Sequence, residues 1–223
     1  MSAPSEQFSA AVDRDRLVGR LAALVRARSE NPPGNEAEVG ALAESYCREL
    51  GLAVKVHEAE PGRPNVIART GTGHGPTLTY CSHIDVVPAG NPALWERDPF
   101  SAHIADGVMH GRGTADAKGP CAAALEAVDL LLEEGTELKG TLELALVSDE
   151  EAMGFKGAGW LVEQGLVRPD LAIVGEPTAL RLVRAQRGAN WIRLTTHGLA
   201  GHGSAPERGR NAINYMSEVV RHL

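Results

Sequence analysis

The sequence predicts an α/β protein with a mixed central sheet and helices on both faces of that sheet. Short apolar runs typical of buried strands, such as residues 141–147 and 171–174, alternate with segments that repeat apolar residues at helical spacing, such as 119–134. Hydrophobic residues make up 43% and charged residues 23% of the chain, an ordinary composition for a globular protein with a core. The length of 223 residues suits one substantial domain and part of a second.

Two helices are predicted before the first strand. The first begins at Asp13 or Asp15, either of which can cap it, and it repeats apolar residues at helical spacing up to residue 25. The sequence NPPG then forces a loop. Asn35 is the expected cap of the second helix, which runs to about Leu50, and Gly51 is placed to end it in a left-handed conformation.

The rest of the sheet and its helices follow in alternation. The predicted strands are residues 52–57, 65–69, 76–82, 141–147 and 171–174. The predicted helices are residues 119–134 and 157–164. Residues 86–112 contain many turn residues, so we expect a surface excursion with a hairpin around Asp106 and Gly107.

The pattern changes after Gly188, where we expect a second domain to begin. Residues 191–196 alternate like a half-exposed strand, and a helix is predicted from Asn211 to the last residue. One strand and one helix cannot enclose a core. The predicted division is therefore a first domain at 1–188 and an incomplete second domain at 189–223.

Composition excludes several classes of function. A formal charge of −7 with no long basic run argues against a nucleic-acid partner. No apolar run approaches the ~20 residues that cross a bilayer, so no membrane partner is expected. The first residues lack a basic stretch followed by an apolar one, so the expected location is cytoplasmic. Cys47, Cys81 and Cys121 are widely spaced, which favours neither disulfides nor a thiolate zinc site.

Polar clusters interrupt this scaffold, and most of them directly follow a predicted buried strand. They are His83 with Asp85, Glu150 with Glu151, Glu176, and Asp116 in GRGTADAKG. Ligands of open α/β sheets bind at the carboxyl ends of the strands. Carboxylates gathered there would raise one another's pKa unless a cation neutralised them, and one histidine with several carboxylates suits zinc or a similar divalent ion.

The spacing within these clusters suggests separate roles. Asp85 can accept a hydrogen bond from the nitrogen of His83 that faces away from the metal, which would fix the imidazole tautomer. Glu150 and Glu151 would point to opposite sides of an extended strand end, so one can ligate a metal while the other accepts a proton from water. The blander alternatives are solvated glutamates, and a Lys118 that is solvated or paired with a carboxylate.

Six motifs occur one after another between residues 82 and 213, within a resemblance that spans roughly residues 29 to 215, from SENPPGNE onward. They are SHIDVVP, W-x-x-DPF, GRGTADAKG, SDEEAMG, VGEPT and GLAGHGSAPERGRNAI. In order and interval they resemble the zinc-dependent metallopeptidase family of aminoacylases, acetylornithine deacetylases, succinyl-diaminopimelate desuccinylases and carboxypeptidase G-type enzymes. The resemblance implies a zinc-peptidase-like catalytic domain over residues 1–188, without its C-terminal segment. It also implies the start of a smaller α+β lid and dimerisation domain over 189–223.

The resemblance also implies roles for individual residues. His83, Asp116 and Glu176 would bind one metal, and Asp116 would bridge to a second that Glu151 also holds. Glu150 would be the general base. The implied cofactors are two divalent ions, with zinc expected and cobalt or manganese suited to the same ligands.

The same resemblance places His202 in the partner subunit's active site of a homodimer, where it would stabilise the oxyanion. The family's last metal-binding histidine lies downstream of Leu223, so the second metal site is expected to be incomplete in this chain. The implied activity is hydrolysis of amide bonds in N-acyl amino acids or short peptides. The alternative is a catalytically inactive metal-binding fragment of such an enzyme.

Overall fold

A computed structural model describes residues 11–188 and 190–223. The chain divides into two compact units, the first ending at Leu180 and the second beginning at Arg181. The sequence-based division at 188/189 and the lid assignment stay predictions. In the described part of the chain, no helix has the length and apolar character needed to span a membrane.

The first unit is built on a five-stranded mixed sheet and a separate hairpin. The strands are β1 (Ala53–Glu58), β2 (Pro64–Gly71), β3 (Thr77–His83), β4 (His103–Ala105), β5 (Val108–His110), β6 (Thr141–Val147) and β7 (Leu171–Val174). The sheet order is β1-β2-β6-β3-β7, and β4 pairs only with β5. β2 runs antiparallel to β1 and β6, whereas β3 runs parallel to β6 and β7. The predicted strands and hairpin are therefore confirmed, with shifts of a residue or two at their ends.

Helices cover both faces of this sheet, as the alternating pattern predicts. The helices are α1 (Arg14–Arg26), α2 (Ala37–Glu49), α3 (Lys118–Glu133), α4 (Ala158–Glu163) and, in the second unit, α5 (Ala212–His222). The larger core joins Leu24, Val39 and Leu125, from α1, α2 and α3, to Val66 and Leu146 of the sheet. On the opposite face, Ile67, Ala145 and Val147 pack against Leu161 of α4. Removing this apolar surface from water is the main force that holds the layers together.

The helix ends follow the sequence in two cases and depart from it in one. The Asp13 carboxylate caps α1 by accepting the amide N–H of Arg16. Gly51 ends α2 with φ of +74°, as predicted. The predicted Asn35 cap is wrong, because Glu36 occupies the N-cap position and makes no capping hydrogen bond. Its carboxylate is instead held by Arg63.

A network of ion pairs joins α1 to α3. Arg16 lies 2.8 Å from Glu126, 3.1 Å from Asp129 and 2.6 Å from Glu133. Arg20 lies 3.0 Å from Glu126 and 2.6 Å from Asp129. The Glu126 side chain is only 3% exposed, so this carboxylate depends on the two arginines for its compensation. We call these five residues the α1–α3 cluster.

The second unit has less regular structure than the sequence predicts. α5 is confirmed, and the Asn211 side chain caps it by accepting the N–H of Ile213 at 2.8 Å. The predicted strand at 191–196 is wrong. A strand is stabilised by hydrogen bonds to a neighbouring strand, and among residues 190–223 the only β-bridge joins Leu199 to Arg210.

Candidate metal centre

Parallel strands bring the polar clusters of the first unit to one edge of the sheet. His83 is the last residue of β3 and is 1% exposed. Glu176 follows β7, whose end is fixed to β3 by the amide N–H of Gly175 donating to Cys81 and by the Ser82 hydroxyl donating to the Gly175 carbonyl. β6 ends beside them and leads to Glu150. The three strand ends therefore meet, as expected for parallel strands.

Glu150 and Glu176, which follow these strands, and Asp116, from the turn before α3, converge on the Nε2 atom of His83. This atom lies 3.0 Å from Asp116 Oδ1, 3.8 Å from Glu176 Oε1 and 3.9 Å from Glu150 Oε2. His83, Asp116 and Glu151 also offer ligand atoms that all lie within 4.8 Å of one another. The structure thus brings together the four residues that the sequence analysis names as metal ligands, with Glu150 beside them.

Asp85 is fully buried and lies on the other side of the His83 imidazole. The Nδ1 atom of His83 is 3.0 Å from the Asp85 carbonyl oxygen and 3.3 Å from its Oδ1. Both oxygens can only accept, so Nδ1 carries a proton. In the neutral imidazole this leaves the Nε2 lone pair facing the carboxylates, which is the orientation that a metal ligand needs.

The turn after β6 differs from the extended strand end that the sequence suggests. Asp149 adopts a left-handed conformation with φ of 70°, and Glu150 begins a short 3₁₀ turn that ends at Ala152. Glu150 and Glu151 therefore do not point to opposite sides of a strand. Their two backbone N–H groups instead donate to the Asp85 carboxylate, at 3.2 and 3.1 Å.

The two glutamates of this turn differ in their surroundings. The Glu151 Oε1 atom accepts the backbone N–H of Val87 at 3.2 Å. The Glu150 side chain is 52% exposed and makes no hydrogen bond within residues 11–180. Glu151 is thus held at the cluster by a hydrogen bond, whereas no hydrogen bond within residues 11–180 holds the Glu150 side chain.

The electrostatics of the site show a shortage of positive charge. Burial raises the pKa of Glu151 and of Glu176, and repulsion from Asp116 and Glu150 raises it further, against the attraction of His83. Burial by itself would lower the pKa of His83, but the hydrogen bond to Asp85 and the surrounding carboxylates outweigh it and raise that pKa to about 9. A divalent cation would relieve both perturbations.

Asp85 behaves in the opposite way. Burial by itself would raise its pKa, yet hydrogen bonds from His83, Asn31 and the backbone of Glu151 more than compensate and lower the pKa of this carboxyl. Asp85 is therefore held as a carboxylate inside the protein, whereas Glu151 and Glu176 stay ionised only at a cost. This is the difference expected between a carboxylate that orients a metal-binding histidine and carboxylates that would bind a cation directly.

Several buried polar residues around the site escape sequence reasoning. Asn31, Arg63 and Asp149 are each no more than 5% exposed and are linked to one another or to Asp85. Lys118 corrects the expectation of a solvated or paired lysine, because it is fully buried and donates to the Ala27 carbonyl at 2.8 Å. Burial lowers the pKa of Lys118 to about 8. Asn31 begins the turn NPPG, which predicts a loop but gives no sign that the Asn31 side chain is buried beside the site.

His202 lies in the second unit, on an exposed Gly-rich segment. Its Nδ1 atom is 2.8 Å from the Ser204 hydroxyl and accepts the backbone N–H of Ser204 at 3.3 Å. A ring nitrogen that accepts cannot carry the proton, so in the neutral imidazole the proton is on Nε2. His202 can therefore donate a hydrogen bond from that atom.

The donor set fits a divalent metal ion. One imidazole nitrogen and several carboxylate oxygens are the ligands that zinc and related ions accept in proteins, and the ligand atoms here are close enough to share one ion. His83 also has the carboxylate behind it that metal-bound histidines usually have. The fold and the site together define an α/β protein with a carboxylate-rich candidate metal centre at its strand ends.

Comparison with known proteins then gives the family. Residues 80–204 match the model of peptidase family M20/M25/M40, and the chain belongs to that family. It is 37% identical over 193 residues to an acetylornithine deacetylase of Proteus mirabilis, a match that covers 85% of this chain and 48% of that protein. The chain thus spans about half the length of this relative.

Solved structures agree with the fold. The chain is similar to an M20 family metallo-carboxypeptidase of Sulfolobus solfataricus, with 26% identity and a TM-score of 0.64 over 73% of this chain and 37% of that one. Human carnosine dipeptidase 1 matches at 24% identity and a TM-score of 0.65, covering 77% of this chain and 40% of that one. These likenesses confirm the mixed sheet with helices that the sequence predicts.

Proposed function

We propose that the protein is a metal-dependent hydrolase that cuts amide bonds in N-acyl amino acids or short peptides. The observation that carries the proposal is the convergence of Asp116, Glu150 and Glu176 on the Nε2 atom of one buried histidine. Membership of a peptidase family and the likeness to an acetylornithine deacetylase support this substrate class. Zinc is the ion we expect, and cobalt or manganese suits the same ligands.

His83, Asp116 and Glu176 are the proposed ligands of a tightly held ion. Asp116 would also face a second ion, for which Glu151 is the other ligand in the described part of the chain. Two protein ligands are fewer than the three or four of well-formed zinc sites, so we expect this second ion to bind weakly to the chain. When bound, the ions supply Lewis acidity, which polarises the substrate carbonyl and lowers the pKa of water.

Glu150 is the proposed general base. Its half-exposed side chain lies beside the ligand cluster, with Oε2 3.9 Å from His83 Nε2, and has no hydrogen-bond partner within residues 11–180 that would hold it away from substrate. It would take a proton from the attacking water and deliver it to the leaving amine. Asp85 would act behind His83 by holding its Nδ1 proton and thereby its orientation.

His202 is the proposed oxyanion donor. Its Nε2–H is available because Nδ1 accepts from Ser204, which suits donation to the negative oxygen of a tetrahedral intermediate. We propose, from the family likeness, that it serves the active site of a partner subunit in a homodimer. A cytoplasmic location also stays a prediction.

The decisive experiment is hydrolysis of a substrate panel by the intact protein loaded with zinc or cobalt. The panel contains N-acetyl amino acids, N-succinyl amino acids and dipeptides. Glu150→Gln should lower kcat by about 10²–10⁴-fold, because it removes proton transfer, while the content of bound metal stays unchanged. Glu163→Gln, at an exposed position of α4, is the matched control and should leave kcat unchanged. Full activity of Glu150→Gln would contradict the assigned base.

A further inference from the structure

Two buried carboxylates lie on either side of a single buried amide next to the candidate metal centre. Asn31 is 2% exposed, and its Nδ2 atom lies 2.8 Å from Asp85 Oδ2 and 3.4 Å from Asp149 Oδ1. Asp85 and Asp149 are themselves 0% and 2% exposed. The Asn31 amide group is thus the direct link between the two acids.

The chemistry of this contact requires an uncharged donor. Ionised carboxylates only accept hydrogen bonds, so the NH₂ group of Asn31, with its two N–H bonds, can serve both acids at once. The guanidinium of Arg63 is already shared, because it lies 2.8 Å from Asp149 and 2.5 Å from Glu36. Without the amide, two like charges would face each other in a low-dielectric interior.

Each of the two acids contacts one part of the turn that contains Glu150 and Glu151. The Asp85 carboxylate receives the backbone N–H groups of Glu150 and Glu151 and also contacts His83 Nδ1. Asp149 starts the same turn in a left-handed conformation, and its carboxylate accepts the backbone N–H of Lys156 at 2.9 Å, which closes the turn. The position of both glutamates relative to His83 therefore depends on how the two acids are held together.

We propose that Asn31 is a positioning residue, whose amide joins Asp85 to Asp149 and so fixes the Glu150–Glu151 turn relative to His83. Asn31 touches neither the proposed ligands' metal-facing atoms nor the proposed base, so it acts through the two acids. The catalytic part of this inference rests on the proposed function. The part that concerns metal binding does not require that any substrate be turned over.

A matched control exists two residues away. Ser29 is fully buried in the same segment, and its hydroxyl donates to the Ile84 carbonyl at 2.7 Å. The segment is also held through its backbone, since Asn31 N–H donates to the Val86 carbonyl and Val86 N–H donates to the Ser29 carbonyl. Ser29→Ala therefore removes one buried hydrogen bond from the segment but leaves the link between the acids intact.

The test compares Asn31→Ala, Asn31→Asp and Ser29→Ala in the intact protein. Cobalt(II) is the probe, because its visible absorption reports both affinity and ligand geometry. Thermal unfolding is recorded for every variant. If Asn31→Ala has no folding transition, Asn31→Ser, which keeps one donor, takes its place. Rates on the best substrate of the panel provide kcat and KM separately.

Both Asn31 variants should bind cobalt about 10–100-fold more weakly with an altered spectrum, and should lose kcat by a similar factor while KM changes little. Asn31→Asp keeps the shape of the side chain and adds a third carboxylate, so its loss should be at least as large. Ser29→Ala should keep wild-type affinity, spectrum and kcat even where its melting temperature falls. Equal losses in Ser29→Ala, or wild-type cobalt binding in both Asn31 variants, would overturn the proposal.

The two proposals fail in different ways. If the wild-type protein binds cobalt but hydrolyses nothing in the panel, the proposed function fails, and the cobalt comparison still decides the role of Asn31. If the wild-type protein binds no cobalt, there is no metal centre to position and the inference is overturned.

Discussion

Between α1 and α3, three carboxylates meet two arginines, and every acid lies within 3.1 Å of a guanidinium. At the strand ends, a similar number of acids surround one imidazole. These are Asp116, Glu150, Glu151 and Glu176 around His83. Every acid of the first group is paired with a guanidinium, whereas the acids of the second group have no arginine or lysine partner within residues 11–180.

This is the difference expected between a cluster that only stabilises the fold and a cluster that binds a cation. In the α1–α3 cluster the counter-charge is covalently attached, so the cluster is complete when the protein folds. At the strand ends the folded protein raises the pKa of Glu151 and Glu176 and supplies no arginine or lysine to offset this within residues 11–180. An added cation should therefore stabilise the second group and leave the first unchanged.

The largest expected effect comes from removing His83, the one nitrogen donor among the proposed ligands in the described residues. His83→Ala should weaken zinc binding by more than ~100-fold, the upper range seen when only a supporting residue behind a ligand is lost. Isothermal titration with zinc measures the affinity. His74→Ala, an exposed histidine on the turn between β2 and β3, is the control and should bind zinc as the wild type does. Unchanged affinity in His83→Ala would remove the strand-end site from consideration.

The complementary change removes one arginine from the α1–α3 cluster. Arg20→Met leaves Glu126, whose side chain is 3% exposed, with only one arginine. Breaking a buried ion pair costs ~3–5 kcal/mol, and because Arg16 remains we expect a free energy of unfolding about 2 kcal/mol lower than that of the wild type. Urea unfolding measures the loss, and zinc affinity should not change.

A second substitution tests the cause of that loss. In Arg20→Met/Glu126→Gln the buried charge is removed together with its partner, so part of the lost stability should return. If the double variant loses at least as much stability as the two single variants lose together, packing rather than charge compensation dominates this interface.

The sequence predicts the acids of the strand-end site but not the way they are held. His83 and Glu176 follow strands that apolar runs identify locally, so their position at the sheet edge can be read from one stretch of chain. The left-handed turn at Asp149 is contacted by Arg63 and Asn31, which lie far away in the sequence and come close only after folding. Local patterns contain no signal for such contacts, and the buried Lys118, bonded to Ala27, was misjudged for the same reason.

Helix and strand boundaries show the same limit. Gly51 and Asp13 act within one turn of their own helix. The sequence predicts Gly51 as the terminator and Asp13 as one of two candidate caps. The predicted Asn35 cap is wrong: Glu36 occupies the N-cap position, and its carboxylate accepts a hydrogen bond from Arg63, which lies in another part of the chain. The strand expected at residues 191–196 failed because alternation of apolar residues describes a surface and does not supply a pairing partner.

The smallest expected effect has opposite signs in the two states of the strand-end site. Glu176→Gln keeps the side-chain shape and removes one charge from a group in which burial and then repulsion raise the pKa of that carboxyl. The metal-free variant should therefore be more stable than the wild type by ~0.5 kcal/mol near neutral pH, while its zinc affinity falls about tenfold. A raised folded-state pKa means that the wild type loses this stability as pH rises, so the two proteins should become equal below pH ~4.3, where both side chains are neutral. Urea unfolding in the presence of a chelator, across this pH range, measures the difference.

In the α1–α3 cluster the equivalent change, Glu126→Gln, should lower the free energy of unfolding at neutral pH, because there the arginines compensate the charge. If Glu176→Gln also lowers the stability of the metal-free protein, the acids at the strand ends are not short of positive charge, and the contrast between the two groups does not hold.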